Sequence, residues 1–327
     1  MTNPDVVVIT GASAGVGRAT AANFARRGAR IGLLARGRSR LEAAKAEVES
    51  LGGHAIALPT DVADSAAVEA AADAVEREFG PIDIWVNNAM ATVFSPAWEV
   101  TPDELRRATE VTYLGAAHGT LAALRRMRPR NHGTIVQVGS ALAYRAIPLQ
   151  APYCAAKHAL RGYTDAVRCE LLHEGSKVHL TMVHLPALNT PQFSWGRTRL
   201  PNHPQPVPPI FQPEVAADAI VWAAYHRRRE VFVGWPTVKA VFGNKLAPRY
   251  ADRKLAEMGY EAQQTQEPLP PGRPDNLFEP APGDYGAHGV FDARARARSI
   301  QLWISKRRVW IFTGTAAAIA VVLILFA

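Results

Sequence analysis

Short apolar runs recur along the chain, separated by longer segments of helical period. Runs of strand length with little polar alternation fall at 5–10 (DVVVIT), 30–35 (RIGLLA), 54–58 (HAIAL), 82–87 (IDIWVN), 133–139 (GTIVQVG), 177–185 (KVHLTMVHL) and 230–235 (EVFVGW). Helical patterning lies between them, at about 16–27, 38–51, 64–79, 101–127, 150–173 and 214–227. Parallel strands need crossover connections, and helices fill them, so this alternation predicts an α/β fold: a doubly wound parallel sheet with helices on both faces. Strands apolar on both sides agree with burial under two helical layers.

Two stretches break the pattern. Residues 201–213 (PNHPQPVPPIFQP) carry six prolines in thirteen positions, which excludes helix and central strand and predicts an extended loop. Such a loop reads either as a lid over a site or as a surface excursion. Residues 262–292 are again rich in proline and glycine and read as a linker or as an arm laid over the surface. The chain then reaches 309–327 (VWIFTGTAAAIAVVLILFA), nineteen residues without a charge. As a helix these would extend about 28 Å, close to the roughly 30 Å hydrocarbon core of a bilayer, so a transmembrane helix is expected there. The preceding SKRR is a positive-inside flank that places the body of the chain in the cytoplasm, and Trp303 and Trp310 suit the membrane interface. With such an anchor, the loop at 201–213 would face the bilayer, with Phe193, Trp195 and Phe211 as its apolar contacts.

Composition narrows the function classes. The 48% apolar and 20% charged content is that of a globular protein, not a disordered one. The net charge of +8 suggests an anionic partner until it is located: Arg294, Arg296, Arg298, Lys306, Arg307 and Arg308 form one acid-free run, and removing these six charges leaves +2. A nearly neutral body argues against a nucleic-acid groove. Cys154 and Cys169 fall in one expected helix, roughly 22 Å apart, and cannot bridge. No metal-ligand spacing surrounds them, and His173, His179 and His184 read as surface or packing residues, so no metal site is expected. The start passes from MTNP directly into an apolar run, without the basic region of a signal peptide.

The candidate chemistry begins after the first strand. TGASAGVGRAT places Gly11, Gly15 and Gly17 at a strand-to-helix turn, where backbone amides can approach a pyrophosphate and the helix dipole favours the anion. The second strand ends in Ala35 and Arg36, where an acidic residue would hold an unphosphorylated ribose; a guanidinium there suits a 2′-phosphate, which favours NADP(H). Asp61, in TDV, is placed either to meet the adenine or to cap a helix. Tyr153 and Lys157, in YCAAK, share one helical face at i and i+4. A neighbouring ammonium favours phenolate and is expected to lower the tyrosine pKa, readying Tyr153 for proton transfer. Thirteen residues earlier VQVGS ends a strand at Ser140, whose hydroxyl can hold a carbonyl.

With TGASAGVG, NNA at 87–89, Ser140, YCAAK and LPALNT at 185–190 in this order, the chain resembles the short-chain dehydrogenase/reductase family over residues 4–250. The resemblance implies a Rossmann-type domain in which Tyr153 is the catalytic acid or base, Ser140 orients the carbonyl, and Lys157 binds the nicotinamide ribose. Ser13, Val16, Val62, Asn88, Ala89, Pro186 and Thr190 would complete the cofactor lining. Two positions depart from the family pattern: Met90 stands where glycine usually follows NNA, and Thr112 stands where an asparagine often supports a proton-relay water. Thr112 is expected to serve that relay. The division is then a Rossmann-type catalytic unit over 1–260, a Pro/Gly-rich arm and basic linker over 261–308, and the transmembrane helix over 309–327. The activity implied is interconversion of an apolar alcohol with its ketone or aldehyde at a membrane surface. A non-catalytic nucleotide sensor of the same fold and an epimerase or dehydratase are the alternatives, and the family's habit implies a homo-oligomer.

Overall fold

The computed structural model describes residues 4–308. Seven parallel strands form the central sheet: β1 (Val6–Thr10), β2 (Arg30–Ala35), β3 (His54–Pro59), β4 (Ile84–Asn87), β5 (Thr134–Ser140), β6 (His179–Leu185) and β7 (Glu230–Phe232). Their spatial order is β7-β6-β5-β4-β1-β2-β3, so the winding reverses between β1 and β4, where Val7 pairs with Ile84. The carboxyl ends of strands flanking such a reversal diverge and leave a crevice. Every residue of β1 and β4 is buried, as their unbroken apolar runs require.

Helices cover both faces. On one side α1 (Gly15–Ala25), α2 (Arg38–Ser50) and a later helix pack through Phe24, Leu41 and Ile220. On the other, α3 (Ser65–Phe79), α5 (Gly115–Arg130) and α6 (Ala151–His173) contribute Val75, Met127 and Val167, and α4 (Pro102–Thr109) packs against α6. The side chain of Asp64 caps α3, accepting from the Ala66 and Ala67 amides, so the capping role weighed for Asp61 belongs to its neighbour. Thr101 and Glu104 close a reciprocal capping box on α4, with Pro102 in the first turn. A π-helical turn at Glu110–Leu114 joins α4 to α5 and carries Thr112.

Three outcomes differ from the sequence reading. The last strand stops at Phe232 rather than residue 235, because Gly234 turns with φ of 78° into a helix. After α7 (Pro213–Tyr225), two further helices follow that strand: α8 (Gly234–Leu246) and α9 (Pro248–Met258). The proline-rich loop is tied down at both ends, since Asn202–Pro204 pairs antiparallel with Gln264–Pro268 and Ile210–Phe211 pairs parallel with Ala295–Arg296. Phe193, Trp195 and Phe211 are accordingly buried, at 5%, 7% and 4% exposure, and do not face outward. Phe193 packs with Phe94 and Phe291 in a small core between the loop and the arm. No helix among the described residues is long and apolar enough to cross a membrane; the expected span at 309–327 lies outside them.

Candidate active site

The glycine turn closes as its sequence requires. Gly11 and Gly15 hold positive φ, and a Cβ on Gly17 would stand 2.2 Å from the Gly11 carbonyl oxygen, so no side chain fits there. Asn88 braces the turn from β4, donating from Nδ2 to the Thr10 carbonyl at 2.9 Å and to that of Gly11 at 3.3 Å. Thr10 Oγ1 accepts the amides of Asn88 and Ala89 in return, at 2.9 and 3.0 Å. Gly11, Ser13, Gly15, Val16, Arg36, Asp61, Val62, Asn88, Ala89 and Thr190 all line the resulting cleft. A glycine cradle that a Cβ would fill, at a helix N-terminus, fits a dinucleotide pyrophosphate.

Beside it opens a second cavity of about 380 Å³ that shares Val16, Asn88, Met90 and Thr190 with the cleft. Ser140, Tyr153, Lys157 and Pro186 face this cavity, and its walls are mostly apolar. Ser140 is buried at the end of β5, and its Oγ accepts the Leu142 amide at 3.1 Å. Its side chain lies close enough to the Tyr153 hydroxyl to favour the phenolate. Lys157 is buried, sits 5.6 Å from the centre of the Tyr153 ring, and donates to the Val138 carbonyl at 2.7 Å. Burial brings its ammonium down to about 8. The lowering expected for Tyr153 is not what the structure gives: burial is the largest effect and raises its pKa, with the nearby Ser140 side chain opposing. A phenol held neutral in this way is a proton donor at the cavity wall.

Behind Ser140 lies a polar network. His184, fully buried on β6, places Nδ1 3.3 Å from the Ser140 carbonyl and Nε2 3.0 Å from Glu230 Oε1. Tyr144, four residues after Ser140, also donates to that carboxylate. Burial alone would raise Glu230, but the bonds from His184 and Tyr144 outweigh it and hold the carboxyl down to about 2. His184 is thus a packing residue, as its sequence context suggested, and one that braces the strand end carrying Ser140.

Three predicted residues have partners the sequence did not indicate. Thr112 Oγ1 donates to the Ala91 carbonyl and accepts the Ala91 amide, both at 2.9 Å. Its one proton is committed to the loop after NNA, which removes the donor that a relay would need. Asp61 accepts from Arg107 at 2.6 Å and from the Ala63 amide at 3.0 Å; burial would raise its carboxyl, and these bonds hold it below the usual carboxylate value. Arg36 donates to the carbonyls of Asn276, Leu277 and Phe278, and burial followed by the nearby Arg107 lowers its pKa.

Those carbonyls belong to the segment after residue 262, which lies across the cleft. The Gly15 amide donates to Gly286 O at 3.0 Å, Arg18 pairs with Asp284 at 3.1 Å, and Gly289 sits so close to Thr190 that a Cβ would meet its carbonyl oxygen at 2.6 Å. Asn276 and Pro280 complete the cleft lining. Sequence reasoning did not anticipate this outer wall; the only signal was a cluster of glycines, Gly283, Gly286 and Gly289, in an otherwise unpatterned stretch.

The sequence model of the short chain dehydrogenase family matches residues 5–197. The uncharacterized oxidoreductase YxnA of Bacillus subtilis (strain 168) is 31% identical over 306 residues, covering 93% of this chain and 86% of that protein. Among solved structures, a short-chain dehydrogenase from Streptomyces avermitilis has 26% identity and a TM-score of 0.66, over 80% of this chain and 99% of its own. A metagenomic short-chain oxidoreductase in complex with NADP has 27% identity and a TM-score of 0.59, over 70% and 96%.

Proposed function

Since the chain belongs to the short-chain dehydrogenase family, we propose that it is an NADP(H)-dependent oxidoreductase interconverting an apolar alcohol with its ketone or aldehyde. The observation that carries this reading is the meeting of Ser140, Tyr153 and Lys157 on an apolar cavity that opens into the glycine cradle. Bound in the cleft, the nicotinamide would supply or accept the hydride. Ser140 and Tyr153 present hydroxyls to the carbonyl oxygen. In the reducing direction Tyr153 gives up its proton to that oxygen, and the cationic Lys157 one helical turn away stabilises the phenolate left behind. Leu142, Ile147, Leu188 and Phe193 give the cavity around these hydroxyls an apolar lining.

Arg36 at the end of β2 supports preference for the phosphorylated cofactor, and the NADP complex among the similar structures supports it by analogy. The apolar lining supports a substrate without charge near its carbonyl. We place the domain at the cytoplasmic face of a membrane, tethered through 309–327. The support is the composition of that segment and the basic SKRR before it. Removing 309–327 is then expected to shift the chain to the soluble fraction on cell fractionation.

The test is NADPH consumption by the detergent-solubilised protein against a panel of ketones and aldehydes, beside Tyr153→Phe. The variant is expected to bind NADPH normally and to lose about 10²–10⁴-fold in kcat. Near-native kcat in the variant removes Tyr153 from its role. Absence of turnover across the panel in the unmodified protein, with NADPH still bound, favours the non-catalytic reading.

A further inference from the structure

The helices α8 and α9 carry a surface that the active site does not use. In α8 the buried positions are Gly234, Thr237 and Val241. The opposite stripe, at i, i+4, i+7 and i+11, is Trp235, Lys239, Phe242 and Leu246, with Trp235, Phe242 and Leu246 exposed by 54%, 52% and 85%. In α9 no residue is buried, and Tyr250 is 64% exposed. A helix apolar and exposed on its outer side while its inner side packs on the body is the form taken by helices that lie in a bilayer interface.

Charge points the same way. Between residues 234 and 258 the two carboxylates are already engaged, Asp252 with Arg145 and Glu257 with Lys254. Lys239, Lys245, Arg249 and Arg253 are exposed and have no acidic partner among the described residues. Aromatic side chains interleaved with cations match the headgroup level of an anionic membrane. A second copy of the chain fits poorly, because a two-fold axis through this face would set these cations against their own copies.

The inner side of the same helices closes the active-site cavity: Pro236 and Ala240 of α8 and Lys254, Leu255 and Met258 of α9 line it. At the start of α8 the Gly234 amide donates to Gln301 Oε1 at 2.7 Å, and Gln301 belongs to the segment that leads into the uncharged residues 309–327. The face therefore joins the cavity on its inner side and is tied at its start to Gln301.

We propose that α8 and α9 dock on an anionic lipid bilayer and admit an apolar substrate from it to the cavity at Tyr153. The docking stands on the surface alone, whereas the entry of a substrate rests on the oxidoreductase reading. The two are tested separately, with the full chain reconstituted in phosphatidylcholine vesicles with or without phosphatidylserine. A polarity-sensitive fluorophore is placed on Phe242→Cys in a Cys169→Ser background, with Leu172→Cys, on α6, as the reference site. The emission at position 242 is expected to move to the blue when phosphatidylserine is present, with no move at 172. Identical emission at 242 in both vesicle types overturns the docking, and a blue shift that grows with protein concentration in detergent alone assigns the face to a second copy and also overturns it. For entry, Lys239→Glu combined with Lys245→Glu and Arg249→Glu is expected to raise KM about tenfold for a long-chain aldehyde dissolved in the vesicles. KM for a short water-soluble aldehyde should stay unchanged. Unchanged KM for both aldehydes, or equal increases for both, overturns the entry route. If the unmodified chain turns over neither aldehyde, the oxidoreductase reading and the entry route fall together, while the fluorescence still decides the docking.

Discussion

The two walls of the nucleotide cleft are built in opposite ways. The inner wall, from Gly11 to Ala25, is a strand-to-helix turn in which nine of the eleven residues of α1 are buried and glycine is required by contact. The outer wall, from Asn276 to Gly289, has no regular element and engages the cleft largely through its own carbonyl oxygens: those of 276–278 on Arg36 and that of Gly286 on the Gly15 amide. One wall thus presents backbone amides in a rigid turn, and the other is a strap whose carbonyls already occupy donors of the cleft. A phosphate approaching the Gly15 amide meets the Gly286 carbonyl, and a 2′-phosphate approaching Arg36 meets three carbonyls. The strap is held down by Gly289 against Thr190 and by buried Asn189, which donates to Asp292 at 2.8 Å and accepts the Phe291 amide at 3.0 Å.

The largest effect is expected from breaking the inner wall. In Gly17→Ala the new methyl meets the Gly11 carbonyl and Asn88 Nδ2, at 2.2 and 2.6 Å, and backbone cannot yield as a flexible side chain would. We expect NADPH affinity to fall by about a hundredfold, with a loss of about 1–3 kcal/mol of stability. Calorimetric titration and thermal unfolding measure the two, and wild-type affinity would show that the glycine turn is not the phosphate site.

Arg36→Ala separates the walls. If the guanidinium turns from the strap to a 2′-phosphate, NADPH binding weakens by about 1.5–3 kcal/mol while NADH binding changes little. Equal losses for both nucleotides would assign Arg36 to holding the strap.

A smaller, pH-dependent effect belongs to the floor between the walls. Burial depresses Lys157 to about 8, so its ammonium is present below that value and is lost as pH rises through it. NADPH affinity should fall by about tenfold across this range as a charge-assisted bond disappears. Lys157→Met should bind weakly throughout and show no such limb. The linked stability runs in the other direction: between about 8 and the ordinary lysine value of 10.5, the unfolded chain binds the extra proton, so folding is favoured as pH rises there.

The mildest effect is expected from the outer wall. In Gly289→Ala a methyl would meet the Thr190 carbonyl oxygen at 2.6 Å, so the strap should lift while the core stays folded. Limited proteolysis is expected to speed up within 275–292, with a severalfold change in the KM for NADPH. Unchanged cleavage would show that the strap is held by contacts other than this one.

Much of the body could be read directly from the chain because each element carries its own local reason. The apolar run at 5–10 predicts a buried strand, and Val6–Thr10 is one; Gly17 is required by the Gly11 carbonyl six residues before it, and Tyr153 and Lys157 share a face through helical spacing alone. The helices at 234–258 are not marked by a continuous apolar stripe, because Pro236, Gly243 and Pro248 interrupt the helical pattern there. Thr112 departs from the relay expected of it because its partner, the Ala91 backbone, lies twenty-one positions away across a loop. Phe193, Trp195 and Phe211 depart from the bilayer contacts expected of them because their partners, Phe291, Tyr285 and the backbone of Arg296, come from the distant arm.

The local pattern of the chain is enough to specify the sheet with its helices, the glycine turn and the presence of a serine, a tyrosine and a lysine able to meet at one strand end. That the segment after residue 262 forms the second wall of the cleft, that Arg36 rests on it, and that burial raises Tyr153 while lowering Lys157 all follow from packing between distant parts of the chain. The physical reason is the same in each case. Periodicity and turn chemistry are written in side chains over a few neighbouring positions. A backbone carbonyl is carried by every residue and leaves no mark in the sequence, and a pKa depends on how much protein folds around a group.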